Sequence, residues 1–149
     1  MKVKVVAIGN RLMGDDGIAL KVAEDIREVL EFQGINVIVG ETDIYYCFNE
    51  ILDADIIFIL DASYYGKRPG TITVKSIEDF KIFENKQFSQ HGINLIKLIE
   101  MNNLHKEIYI IGIEIHEITY SLNISNSLNK KLKDICWQVQ KVVLGNYMI

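Results

Sequence analysis

Four short runs in this sequence carry apolar residues at every position, or nearly so: Val3–Ile8, Ile35–Val39, Ile56–Leu60 and Ile108–Ile115. A strand that is apolar on both sides must be covered on both sides, the signature of a parallel sheet between helices. The segments between the runs supply such helices. Ile18, Val22, Ile26, Val29 and Leu30 recur at helical spacing, and Gly34 can end that helix. Tyr45–Leu52 reads as a short helix, and Ile93, Ile96, Leu98 and Ile99 as one that begins near Ser89, a good N-cap. Leu128, Leu132, Ile135, Val139, Val142 and Val143 form a long amphipathic helix with Ser125 as its cap and Gly145 as its end.

One connection breaks the alternation. The link from Asp61 to Gly70 is too short for a parallel crossover, so Thr71–Val74 is expected to run antiparallel. The expected fold class is therefore α/β, a three-layer α/β/α arrangement with a mostly parallel five-stranded sheet and one antiparallel strand. With no repeat, no linker and a single proline, Pro69, residues 1–149 read as one domain.

Charge and cysteine content narrow the function classes. Sixteen basic and 20 acidic residues give a net charge of −4, which disfavours a nucleic-acid partner. Lys130, Lys131 and Lys133 read as a solvated helix face that also carries Asp134. Cys47 and Cys136 have no paired spacing, so neither a zinc ribbon nor a disulfide framework is available. Cys136 falls on the apolar stripe of the last helix, as a packing residue. The first apolar run reaches Asn10 and Arg11 too soon for a signal peptide, and no window approaches a membrane span. A soluble, cytoplasmic monomer without membrane insertion is the expectation.

Ligands of open α/β sheets gather at the carboxyl ends of the strands. There the sequence places Gly9-Asn10-Arg11-Leu12-Met13-Gly14-Asp15-Asp16-Gly17, then Asp61 directly after the third apolar run, then His91 at the start of a helix. Each has an ordinary reading: helix capping for the two aspartates, a strand-end turn for Asp61, a solvent-facing position for His91. Together, Asp16, Asp61 and His91 fall on one rim, and two carboxylates with an imidazole suit a borderline divalent metal such as nickel or zinc. Three protein ligands leave coordination positions open for water or substrate. His116 lies close enough to the same rim to support a ligand, while His105 sits in a polar connection. The glycines form neither a Walker loop nor a dinucleotide fingerprint, and carboxylates in that place would repel phosphate. His-Glu-x-x-His and Gly-x-Ser-x-Gly are both absent.

The Gly9-Asn10 to Asp15-Asp16-Gly17 stretch, Asp61 with Gly66, Ser89-Gln90-His91, and Ile111-Gly112-Ile113-Glu114 leading to Ile124-Ser125 resemble the hydrogenase maturation endopeptidases. The resemblance covers most of the chain in the right order. It implies a phosphorylase/hydrolase-like fold with a twisted five-stranded sheet, and Asp16, Asp61 and His91 as both metal-site and catalytic residues. It further implies a hydrogenase large-subunit precursor as partner, from which a C-terminal extension is cut once nickel is in place. Nickel would arrive with the substrate, and zinc or another divalent metal could occupy the site in vitro. Asp15 is the candidate for a capping or ligand-supporting role. Ala19, Glu41-Thr42-Asp43 and Tyr120-Ser121-Leu122-Asn123 depart from the family pattern, the last two where glycines are common. The resemblance leaves open whether the metal is catalytic or only recognised. The main rival is a module that senses nickel or docks on the precursor without cutting it; a nucleotide-binding domain is a second.

Overall fold

The computed structural model describes residues 1–80 and 87–148. Five strands form one sheet: β1 (Val3–Ile8), β2 (Asn36–Glu41), β3 (Ile56–Ser63), β4 (Ile72–Ser76) and β5 (Glu107–Glu114). Their spatial order is β2-β1-β3-β5-β4, parallel throughout except where β4 pairs antiparallel with β5. Four α-helices connect or flank them: α1 (Ile18–Phe32), α2 (Ile44–Ile51), α3 (Gln90–Met101) and α4 (Asn126–Met148). The expected α/β class and the single antiparallel strand are both present.

Strand alternation sorts the core into two layers. Val3, Val5 and Ala7 of β1, with Phe58, Leu60 and Ala62 of β3, face α1 and α4. Val6 and Ile8, with Ile57 and Ile59, face α2 and α3. Every residue of β1 and β3 is buried, which explains why their sequences lack the half-polar alternation of a one-sided sheet. The edge strand β4 is only partly buried along its length.

Three boundaries differ from the sequence reading. β3 does not stop at Leu60: pairing with β5 continues through Asp61, Ala62 and Ser63, so Asp61 lies within the strand and not after it. A 3-10 turn, Gly14–Gly17, precedes α1, and no side chain caps that helix. Neither Asp15 nor Asp16 therefore does the capping. The last helix runs through Gly145 to Met148. Cys136 is half-buried against the α1–α4 layer, and Lys130, Lys131 and Lys133 are exposed.

The chain moves from β1 outward to β2, then back across β1 to β3. This reversal opens a crevice between the carboxyl ends of β1 and β3, where open α/β sheets bind their ligands. Phe58, fully buried in β3 with its ring 5.4 Å from that of Tyr109, belongs to the core layer that faces α1 and α4. Replacing Phe58 by alanine should destabilise the fold by about 3–5 kcal/mol, measured as a loss of unfolding free energy in urea.

Candidate active site

Four carboxylates are buried at the carboxyl end of the sheet: Asp15 and Asp61, fully, and Asp16 and Glu114, at 8% and 3% exposure. No lysine or arginine among the described residues forms an ion pair with any of them. Backbone N–H and hydroxyl groups take that place.

Asp15 is the most heavily bonded. Its Oδ2 accepts from the backbone N–H groups of His116 and Glu117, both at 3.1 Å, and from Ser125 Oγ at 2.9 Å. Its Oδ1 accepts from the Ser125 N–H at 2.6 Å. A carboxylate has about four lone-pair sites, so Asp15 is full. It fastens the turn after β1 to the segment after β5 and to the start of α4, whose first turn Ser125 caps through the Leu128 N–H. Its role is structural support. A second tie runs alongside: Ser121 donates to the Leu12 carbonyl at 3.0 Å and accepts from the Gly14 N–H at 2.8 Å. His116 acts through its backbone, with its side chain exposed, and His105 is exposed in a distant connection.

Asp16 is held more lightly. Oδ2 accepts from the Asn10 N–H at 3.2 Å and Oδ1 from the Tyr64 hydroxyl at 2.8 Å. Two lone-pair sites stay free.

Asp61 lies against the start of α3. Oδ2 accepts from the Ser89 N–H at 3.1 Å, Oδ1 from the Ala62 N–H at 2.9 Å, and the Ser89 hydroxyl lies 2.8 Å from both oxygens. Ser89 is also the N-cap of α3, its Oγ accepting from Gly92. The close approach requires Gly92, since a methyl there would overlap an Asp61 carboxylate oxygen. Burial pushes the Asp61 carboxyl up to about 8, and the nearby charge of Asp16 adds to the rise, against the opposing bonds from Ser89 and Ala62. One residue before Gly92, His91 is half-buried and its ring has no hydrogen-bond partner among the described residues.

The structure thus brings Asp16 and Asp61 close enough for their charges to interact, and places His91 in the first turn of α3, two residues after Ser89. It does not close them into a cage: no three His, Cys, Asp or Glu side chains among the described residues are gathered tightly enough to hold an ion alone. Sequence reading missed three participants. Glu114 accepts from the Tyr65 and Gly66 N–H groups at 3.0 Å each and from Ser63 Oγ at 3.3 Å, fixing the segment that follows Asp61. An acid inside an apolar run, between Ile113 and Ile115, was the available signal. The Ser89 hydroxyl on Asp61 was foreseen only as a helix cap, and Tyr64 carried no signal.

Glu41, where the family often has glycine, adopts a left-handed φ of 54°. That conformation favours glycine, and the exposed Glu41 side chain is held there by Arg11 at 3.0 Å. Asp43 caps α2 through the Tyr46 N–H.

A family model described as hydrogenase maturation protease matches residues 20–144. The chain belongs to the hydrogenase maturation protease family. A protein of Methanocaldococcus jannaschii assigned as a hydrogenase maturation protease is 26% identical over 145 residues, 95% of this chain and 93% of its own length. The [NiFe] hydrogenase maturation protease HybD of Thermococcus kodakarensis superimposes with a TM-score of 0.74 at 28% identity, covering 96% of this chain and 99% of that one. The hydrogenase maturating endopeptidase HybD of E. coli gives a TM-score of 0.79 over 98% of this chain and 94% of its own, and at 17% identity shows the shared fold. The chain spans 57% to 62% of the length of the other curated relatives it matches, all hydrogenase expression/formation proteins. The family makes this chain a peptidase of hydrogenase maturation.

Two outcomes test this geometry. Asp15→Ala leaves three backbone N–H groups without their acceptor and should cost more than about 2 kcal/mol of unfolding free energy in urea. Asp61, whose carboxyl is raised on folding, keeps its proton in the folded chain where the unfolded chain has lost it. Stability should therefore fall as pH rises from about 4 to about 8, and Asp61→Asn should flatten that slope. Urea midpoints at pH 5 and pH 7.5 measure it; an equally steep fall in the variant would show that Asp61 is not the cause.

Proposed function

We propose that this chain is an endopeptidase that removes a C-terminal extension from the nickel-loaded precursor of a nickel–iron hydrogenase large subunit. The observation that carries the reading is the pair of buried carboxylates, Asp16 and Asp61, free of any cationic partner among the described residues, with His91 in the first turn of the helix whose cap, Ser89, holds Asp61.

In this reading the nickel is part of the substrate. Uncompensated negative charge in a low-dielectric crevice attracts a divalent cation. The donor set, two carboxylates and one imidazole, suits a borderline metal. Because these side chains do not close on an ion by themselves, the precursor's own ligands complete the coordination. Empty precursor lacks the ion that links the two proteins, which gives the enzyme a way to tell the two forms apart. Asp16 or Asp61 would take the proton of an attacking water, and the ion, if it acts beyond recognition, would supply polarisation of the carbonyl or of that water. Since Asp61 must lose its proton to bind a cation, ion-dependent activity should strengthen as pH rises towards 8.

The surroundings suit a polypeptide substrate. Leu12, Tyr120 and Leu122 are 61%, 91% and 77% exposed on the two loops joined through Ser121. Beside them a polar cleft of about 550 Å³, lined by Arg11, Lys21 and Asn126 among others, adjoins Gly17. No helix among the described residues is long and apolar enough to cross a membrane. We place the protein in the cytoplasm as a monomer, with the precursor as its partner.

The test is the mass of nickel-loaded and nickel-free precursor before and after incubation with the enzyme. Loss of a C-terminal peptide from the loaded form alone is expected. Asp16→Ala and His91→Ala should abolish cleavage while remaining folded. Intact precursor after incubation with wild-type protein would favour a module that docks without cutting, and normal cleavage by both variants would remove the metal-site assignment.

A further inference from the structure

Tyr64 is the one side chain among the described residues that donates to Asp16. Three features make that contact more than a surface hydrogen bond. The Tyr64 backbone N–H donates to the Gln87 carbonyl at 2.6 Å, just before the Ser89 that holds Asp61. The ring packs on the apolar layer shared with α1 and α4, which limits its rotation. The next two backbone N–H groups, of Tyr65 and Gly66, are bound by buried Glu114 at the end of β5. The hydroxyl is therefore fixed relative to β3 and β5, the strands that carry Asp61 and Glu114.

Asp16 stands on a different element, the turn after β1. Among the described residues the one other hydrogen bond to its carboxylate comes from the Asn10 N–H, long at 3.2 Å, on the opposite oxygen. Without the phenol, the carboxylate could swing about its χ2 angle, a soft torsion for aspartate. With it, the plane of the carboxylate is set from both sides, and one lone pair on each oxygen stays available.

We infer that Tyr64 is a positioning residue for cleavage: its hydroxyl orients Asp16 across the crevice and ties it to the segment that follows Asp61. This deepens the proposed function and rests on its assignment of Asp16 as a group that meets the substrate's metal. Partners that orient a metal ligand typically contribute 10- to 100-fold to metal affinity or activity, roughly the scale to expect here.

The experiment compares wild type, Tyr64→Phe and Asp16→Asn. Phenylalanine keeps the packed ring and removes only the donor. Thermal midpoint, binding of nickel-loaded precursor by fluorescence anisotropy, and kcat/KM on the same precursor are measured for each. The expected result is an unchanged midpoint for Tyr64→Phe, with affinity for nickel-loaded precursor and kcat/KM both lower by about ten-fold or more, and loss of both in Asp16→Asn. Wild-type kcat/KM in folded Tyr64→Phe, beside an inactive Asp16→Asn, overturns the positioning role and leaves the assignment of Asp16 standing. A drop in kcat/KM with affinity for nickel-loaded precursor unchanged also overturns it, because the hydroxyl would then act on the peptide and not behind the carboxylate. Full activity in Asp16→Asn instead removes the underlying reading of Asp16.

Discussion

Burying a carboxylate without a cation is costly unless its oxygens are met by hydrogen bonds, and the architecture at the carboxyl end of this sheet answers that constraint. Asp15 sits at the start of α4 and Asp61 at the start of α3, each accepting from a backbone N–H of the residue that caps its helix. Helix N-termini carry unsatisfied donors and the positive end of the helix dipole, so they can hold negative charge without spending a lysine or arginine on it. A cation partner would have neutralised the site. Donor groups hold the carboxyls without a cation, so the site stays open to one.

This arrangement also explains why distant segments must come together for the crevice to exist. The bonds from Asp15 to His116, Glu117 and Ser125 span 101, 102 and 110 residues. They join the turn after β1 to the segment after β5 across the end of β3, the strand between them. The fold therefore places one acid to hold the frame and its neighbour to face the opening. Because Asp15 is rigidly bonded, the position of Asp16 next to it along the chain is fixed as well.

Much of the architecture was legible in the sequence, because all-apolar runs and helical periodicity are local signals. β1 was read at its full extent, and the short link after Asp61 correctly forced an antiparallel strand. Asp61 was misplaced by the same logic: a charged residue looked like the end of a buried run. In the structure the strand carries it inside, because Ser89 and the start of α3 supply donors that no local pattern reveals. Asp15 and Asp16 read as caps of α1 for a similar reason. Their actual partners lie either a hundred residues away or, for Tyr64, on another strand's exit, and pairwise contacts of that kind leave no trace in spacing or hydropathy. The family resemblance selected Asp16 over Asp15 as a site residue, but only the hydrogen bonds give a physical reason for that choice.

That reason is capacity. A carboxylate offers about four lone-pair sites to donors or to a metal. Asp15 has all four filled, by three backbone N–H groups and a hydroxyl, and cannot take a ligand without breaking the frame. Asp61 accepts from two N–H groups, shares one hydroxyl between its oxygens, and opens about one site when its proton leaves. Asp16 accepts two bonds and keeps about two, and of the three it alone retains measurable exposure, 8%. The gradient from Asp15 through Asp61 to Asp16 runs from pure support to open coordination. An incoming cation would displace the Asp61 proton and find its free oxygen lone pairs at the last two. The division of labour between the adjacent aspartates thus follows from how many donors surround each one, with no appeal to the family needed.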